Sequence, residues 1–103
     1  MLTTPLEKTV EKKVCAYARS QGVLVYKFTS PQHGAVPDDL FILPNGNIFF
    51  IEFKRQGFKA TIPQQREHAK LQGHNVAVYV VDNIDIGIEL INAYVRFNHA
   101  HTD

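Results

Sequence analysis

The sequence predicts one α/β domain with the element order α-β-β-β-α-β-α. Three observations predict it. Apolar residues recur at helical spacing early in the chain, at Leu6, Val10, Val14, Tyr17 and Ala18, and again late, at Ile84, Ile88, Ile91 and Tyr94 or Val95. Between these stretches lie short runs of branched and aromatic residues, separated by turn residues. The 103 residues contain no linker, repeat or low-complexity segment, so a single domain over residues 1–103 is expected.

The first helix is expected from Pro5 to Gln21, opened by Thr4 with Pro5 at the first helical position and Glu7 in the first turn, and stopped by Gly22. Val23 to Phe28 reads as a strand. Thr29 to Pro37 is a loop marked by Ser30-Pro31 and Gly34. Asp38 to Leu43 and Ile48 to Lys54 read as two strands joined through Pro44-Asn45-Gly46-Asn47, a strong hairpin signal. Arg55 to Ile62 is a polar connection. Pro63 opens a second helix that runs through His74, with Asn75 as its cap. Val76 to Val81 is nearly continuously apolar, a pattern typical of a strand covered on both faces. Asn83 to Phe97 reads as the last helix, although Gly87 weakens it, and residues 98–103 as a frayed tail. Tyr17, Tyr79 and Tyr94 fall in apolar patterns and are expected in the core.

Hydrophobic residues make up 45% and charged residues 20%, as in ordinary globular domains. No apolar run approaches the roughly 20 residues of a membrane span, and no leader pattern is visible, so a cytoplasmic location is expected. Cys15 is the single cysteine, which excludes an intrachain disulfide and fits a reducing compartment. The net charge of +1 argues against a protein held on DNA by bulk charge alone. The cations lie at or before Lys70 except Arg96, so one basic side is expected from about the first two-thirds.

The chemistry concentrates in Val36-Pro37-Asp38 and Glu52-Phe53-Lys54. Glu52 and Lys54 are two apart on a strand and share a face. The hairpin returns Asp38 to the same open end. Two carboxylates suit a hard divalent cation, and an amine beside them suits a phosphate oxygen or an attacking water. The bland alternatives are a turn role for Asp38 and a structural Glu52–Lys54 pair. Against the second stands the strand itself: Glu52 follows Ile48, Phe49, Phe50 and Ile51, where an unpaired carboxylate is costly. Glu11 borders the apolar stripe of the first helix and competes with Glu7, one turn earlier, for a place near the site. On periodicity alone a solvated helix flank with Lys8 and Lys12 is the better reading. Gln64 and Gln65 open the second helix, where either could orient water or contact DNA. Lys27 ends the first strand, and His33 and His68 are weaker candidates for phosphate or base contacts. The five histidines have no zinc spacing, and no phosphate-cradling or dinucleotide glycine motif occurs, so no nucleotide cofactor is expected.

From about Leu6 to Asp82 these residues resemble the VRR-NUC domain of the PD-(D/E)XK nuclease superfamily. Val36-Pro37-Asp38 and Phe50-Ile51-Glu52-Phe53-Lys54 carry the resemblance most strongly. Tyr26-Lys27-Phe28, the Asn45-Gly46 turn and Pro63-Gln64 support it. Ala35 stands where the family usually has glycine, and Asp39 where it has a basic residue. The resemblance implies a restriction-endonuclease-like core, a mixed central sheet flanked by helices. It implies that Asp38, Glu52, the Phe53 carbonyl and Glu11 hold Mg²⁺ or Mn²⁺, that Lys54 is the catalytic lysine, and that Gln64 is preferred to Gln65. Lys27, His33, Arg55, Lys59 and Arg66 are the expected nucleic-acid contacts. The implied activity is a structure-specific DNA endonuclease acting as a homodimer on four-way junctions or other branched DNA. A flap- or duplex-directed nuclease and a noncatalytic DNA-binding or assembly domain are the alternatives.

Overall fold

The computed structural model describes residues 4–100, with side chains through 97. The predicted element order is the observed one: α1 (Glu7–Ser20), β1 (Leu24–Lys27), β2 (Asp39–Ile42), β3 (Ile48–Phe53), α2 (Ile62–Gly73), β4 (Ala77–Val81) and α3 (Ile84–Ala100). The four strands form one mixed sheet in the order β1-β2-β3-β4. β1, β2 and β3 pair antiparallel, and β4 joins β3 in parallel after the α2 crossover, the connection that a parallel pair requires.

Alternation along the strands divides the sheet into two chemically different faces. Phe41, Phe49, Ile51, Phe53 and Val81 point toward α1 and α3, where they meet Val10, Val14, Ala18 and Ile91 in the core. Phe41 and Phe49 stack, and Phe49 stacks in turn on Tyr94. The Tyr17 hydroxyl donates to Asn92 Oδ1, tying α1 to α3, and the Tyr79 and Tyr94 hydroxyls meet at 2.7 Å. The tyrosines therefore border the core with their polar tips paired.

Several expected boundaries move for local reasons. α1 starts at Glu7, not Pro5. Leu6 takes the extended cap conformation, with ψ 156°, and has no side-chain cap. Thr4 instead accepts a hydrogen bond from Arg55 Nε at 3.0 Å. The hairpin is not a two-residue Asn-Gly turn. Gly46 N donates to the Leu43 carbonyl at 2.9 Å and Leu43 N to the Asn47 carbonyl at 2.9 Å, with Gly46 alone in the left-handed region at φ 90°. This is a three-residue loop closed by a glycine bulge. β4 is an edge strand rather than a strand covered on both faces, and Val80 is exposed. α3 continues to Ala100, so the expected tail is helical at 98–100; 101–103 lie outside the described residues. Asn75 does adopt the left-handed cap expected of it, at φ 63°. Among the described residues no helix is long and apolar enough to cross a membrane.

Gly87 permits the close approach of α3. A Cβ there would lie 2.5 Å from Val14 Cγ2, 3.1 Å from Val14 Cγ1 and 3.3 Å from Val81 Cγ1. Val14 is β-branched and buried, so it has little room to turn away. Gly87→Ala is therefore expected to lower stability by about 1 kcal/mol or more, although alanine gains roughly 1 kcal/mol of helix propensity, because overpacking a filled core costs more. A thermal or urea melt checks the sign.

Candidate active site

The site is built at the open end of the β2–β3 hairpin, on the face opposite the core. Asp39 pairs with Ile51 across the hairpin, so Asp38 lies just beyond the ladder, level with Glu52 and Phe53. Its Oδ2 accepts the Phe53 backbone N–H at 2.8 Å, and its carbonyl accepts the Phe28 N–H, also at 2.8 Å. These bonds fix Asp38 between the two neighbouring strands. Glu52 is only 2% exposed, and its Oε1 has no hydrogen-bond partner.

α2 holds the other side of Glu52. Thr61 caps the helix: its Oγ1 accepts the Gln64 N–H at 3.3 Å, and Gln64 Oε1 accepts the Thr61 N–H at 2.9 Å. This reciprocal capping box leaves the Gln64 amide nitrogen free to donate elsewhere. Gln64 Nε2 donates to Glu52 Oε2 at 3.2 Å. One turn later, buried His68 brings Nε2 to 3.7 Å from Glu52 Oε1, too long for a hydrogen bond, and neither atom has another partner. Burial, and then the positive charge of Lys54, hold the His68 pKa below its usual value, so the ring is neutral near pH 7.

Burial pushes the Glu52 carboxyl up to about 8, with the charge of Asp38 and hydrogen bonding to it adding to the shift and Lys54 opposing it. Two facing carboxyl groups form a hydrogen bond only by sharing a proton. A cation is the other way to bring them together. Mg²⁺ and Mn²⁺ fit this donor set: hard oxygens, one of them buried and unpartnered. Among the described residues no three His, Cys, Asp or Glu side chains form a ready cage. An ion here would draw its remaining ligands from backbone oxygen, such as that of Phe53, and from water.

The remaining sequence candidates are distributed differently. Glu11 is not brought to Asp38 and Glu52. It pairs with Lys27 at 2.7 Å and lies against Asp39, on the α1 side of the sheet. From α1 the charge of Glu7, which lines a groove with Lys54 and Arg55, adds to the upward shift of Glu52. Lys27 is thus engaged by Glu11 rather than free beside Asp38. His33 lies 3.5 Å from Glu67 of α2. Gln65 turns back to the Ala60 carbonyl at 2.9 Å. Arg55 and Lys59 line a groove shared with Lys54, whereas Arg66 is exposed on α2.

Asp39 is 3% exposed and faces α1, so it does not meet substrate at the Asp38 position. Burial, then hydrogen bonding and charge from Glu11, push it up to about 8. Burial opposes ionisation of Glu11 too, but hydrogen bonds with Asp39 and Lys27 outweigh it and hold that carboxyl below the usual range. Burial, with the charges of Asp39 and Glu11, pushes Cys15 up to about 12, which leaves it an inert thiol. His68 was expected only as a weak phosphate or base contact, and the structure places it against Glu52 instead. The sequence signals for this arrangement are the Thr61-x-x-Gln64 capping box and the i, i+4 spacing of Gln64 and His68, which puts both side chains on one helix face.

No family model matches the chain. It is 44% identical over 80 residues to the protein named "Putative nuclease p44" of Acyrthosiphon pisum secondary endosymbiont phage 1, a span covering 78% of this chain and 86% of that protein. A solved structure described as a VRR_NUC domain superposes with a TM-score of 0.79 at 32% identity, covering 85% of this chain and 96% of that one.

The hydrogen bonds and charges of the site can be tested without substrate. Gln64→Glu keeps a capping acceptor at this position but sets a carboxylate against Glu52. We expect the helix to stay folded by circular dichroism while Mn²⁺ affinity, read by calorimetry, changes by about tenfold or more. A pH series tests the buried acids. Glu52 and Asp39 have folded values raised above those of the unfolded chain, so their stabilising contribution is complete below about pH 4 and is lost as pH rises toward about 8. The melting temperature in chelator should therefore fall between about pH 5 and about pH 8, less steeply in Glu52→Gln. Mn²⁺ should restore the wild type at the alkaline end but not that variant.

Proposed function

Because the chain belongs to the VRR-NUC family, nucleases with a restriction-endonuclease-like α/β core, we propose that it is a Mg²⁺- or Mn²⁺-dependent endonuclease that hydrolyses phosphodiester bonds in branched DNA. The observation that carries this reading is the buried Glu52, with one oxygen unpartnered, held beside Asp38 and Lys54 at the hairpin mouth.

Asp38, Glu52 and the Phe53 carbonyl are the proposed metal ligands. A bound divalent ion supplies charge against the scissile phosphate and lowers the pKa of its water. Gln64 orients Glu52 through the amide left over from the capping box. Lys54 shares the face of Glu52 and places its cationic head where negative charge develops on the phosphate. Arg55 and Lys59 hold the DNA backbone next to Lys54, and Arg66 makes a peripheral contact. Glu11 acts here as a positioning residue that secures Lys27 and Asp39 under the hairpin. Location in the cytoplasm of a bacterial or phage-infected cell completes the reading.

A second copy is part of the proposal. Leu24, Ile42 and Ile48 lie in one row across β1, β2 and β3, on the face away from α1 and α3. Leu24 and Ile48 are exposed there, as is Tyr26 in the next row. Two joined active sites would match the two strands that a junction enzyme must cut.

Purified protein with Mn²⁺ on four-way, flap, single-stranded and plain duplex DNA tests the reading, with sedimentation of the same sample. The expected result is a dimer that prefers branched substrates. Glu52→Gln should keep DNA binding and lose cleavage by at least about a hundredfold. Wild-type cleavage rates in that variant would reject the assignment of the site.

A further inference from the structure

One side of the proposed active site carries a feature that the chemistry above does not use. Between Phe53 and α2 the chain makes a tight turn over Arg55-Gln56-Gly57-Phe58. Phe58 N donates to the Arg55 carbonyl at 2.9 Å, Gly57 takes φ 88°, and Gly57 N donates to Asp82 Oδ2 at 3.0 Å. A left-handed third residue makes this a type II turn, and the bond to Asp82 anchors it to the end of β4. At its last position the turn presents Phe58, whose side chain is not drawn into the core: the residue is 64% exposed. Leu6, at the cap of α1, is 60% exposed. Both line the same groove of about 490 Å³, together with Lys8, Lys54, Arg55 and Lys59.

Phe58 and Leu6 together leave an apolar patch in water along this groove. Four cations surround it in the groove, and among the described residues Glu7 is the one acid lining it. A two-fold contact would bring this patch against its own copy and set like charges together, which disfavours self-association here. A polyanion with flat apolar faces satisfies both features. In a paired duplex each base has its faces covered by its neighbours, so a phenylalanine ring can stack only on a base that is unpaired, splayed or terminal.

We propose that Phe58 is a stacking platform for an unpaired nucleobase, and that the groove between the α1 N-terminus and the β3–α2 turn seats a single-stranded stretch of DNA. The location beside the cut rests on the role proposed for Lys54. The substrate class that follows is DNA with unpaired nucleotides next to the scissile phosphate, at a branch or a flap, rather than uninterrupted duplex. Lys8 and Lys59 neutralise the phosphates that flank the stacked base.

The natural sequence contains no tryptophan, so Phe58→Trp places the sole indole of the chain at the site. The probe is a short oligothymidylate, compared with a relaxed, covalently closed circular duplex at equal nucleotide concentration, in chelator at low salt. The emission of that indole should be quenched by the oligothymidylate and not by the duplex. Phe58→Ala and Phe58→Leu should each bind the oligothymidylate about tenfold more weakly or worse, with duplex affinity changed less than about twofold. The leucine variant separates stacking from apolar contact. Wild-type affinity in Phe58→Ala, an equal loss on both DNAs, or no binding of the oligothymidylate by the wild type would overturn the proposal. So would a change of sedimenting mass in Phe58→Ala without a change in DNA binding, which would mark the patch as a self-association surface. Since these are binding measurements without metal, they are independent of the Glu52→Gln cleavage result. Unaltered cleavage in that variant would remove the site assignment and leave the stacking result standing.

Discussion

The candidate site depends on one buried carboxylate that the fold does not fully satisfy. Glu52 sits on β3, between antiparallel β2 and parallel β4, and it is nearly inaccessible. A carboxylate in that position is unfavourable when charged and alone. Its Oε2 receives the Gln64 amide, whereas its Oε1 faces His68 across a gap too long for a hydrogen bond. Asp38 crowds the same place and raises the cost of ionising Glu52. Burial and the neighbouring carboxylate both favour the protonated form of Glu52. Stability and acidity are therefore linked through the same side chain.

Strand parity explains how adjacent acids acquire unrelated tasks. Asp38 and Asp39 are neighbours in sequence, but one joins Phe53 and Glu52 while the other is buried beneath α1 beside Glu11 and Cys15. Slipping the hairpin by one residue would exchange them and turn Phe41 out of the core at the same time. Core packing and the positioning of the acid are consequently one constraint. The Gly46 bulge helps to set that register at the closed end, and the Asp38–Phe53 hydrogen bond secures it at the open end.

The element order and the Asp38, Glu52 and Lys54 cluster were legible in the sequence because they rest on local rules: apolar periodicity, turn residues and alternation along a hairpin. What lay beyond those rules was harder to read. The apolar run Val76 to Val81 suggested a fully covered strand, but its position at the edge depends on which strand it joins, a long-range choice that periodicity does not record. Glu7 and Glu11 are one turn apart on α1, and the difference between them depends on how the helix lies over the sheet. The resemblance favoured Glu11, whereas the packing pairs Glu11 with Lys27, and the charge of Glu7 is among those that raise Glu52. Gly87 read as a weak point in a helix until the Val14 methyl groups beside it gave the reason for it.

The same division between local and long-range effects bears on substrate choice. The acids proposed as metal ligands come from a hairpin that chooses its own register, and carboxylate oxygens discriminate little between one phosphodiester and another. Discrimination must come from surfaces that differ around that hairpin. On one side α2 contributes the polar Gln64 and His68, both committed to Glu52. On the other side, the α1 N-terminus and the turn at Gly57 contribute cations and the bare ring of Phe58, none of which the folded chain needs for its core. A surface that is apolar and exposed, anchored rather than floppy, and ringed by positive charge has the physical character of a recognition element. Its place next to Lys54 puts it where the path of the DNA, and not the chemistry of the bond, decides what is cut.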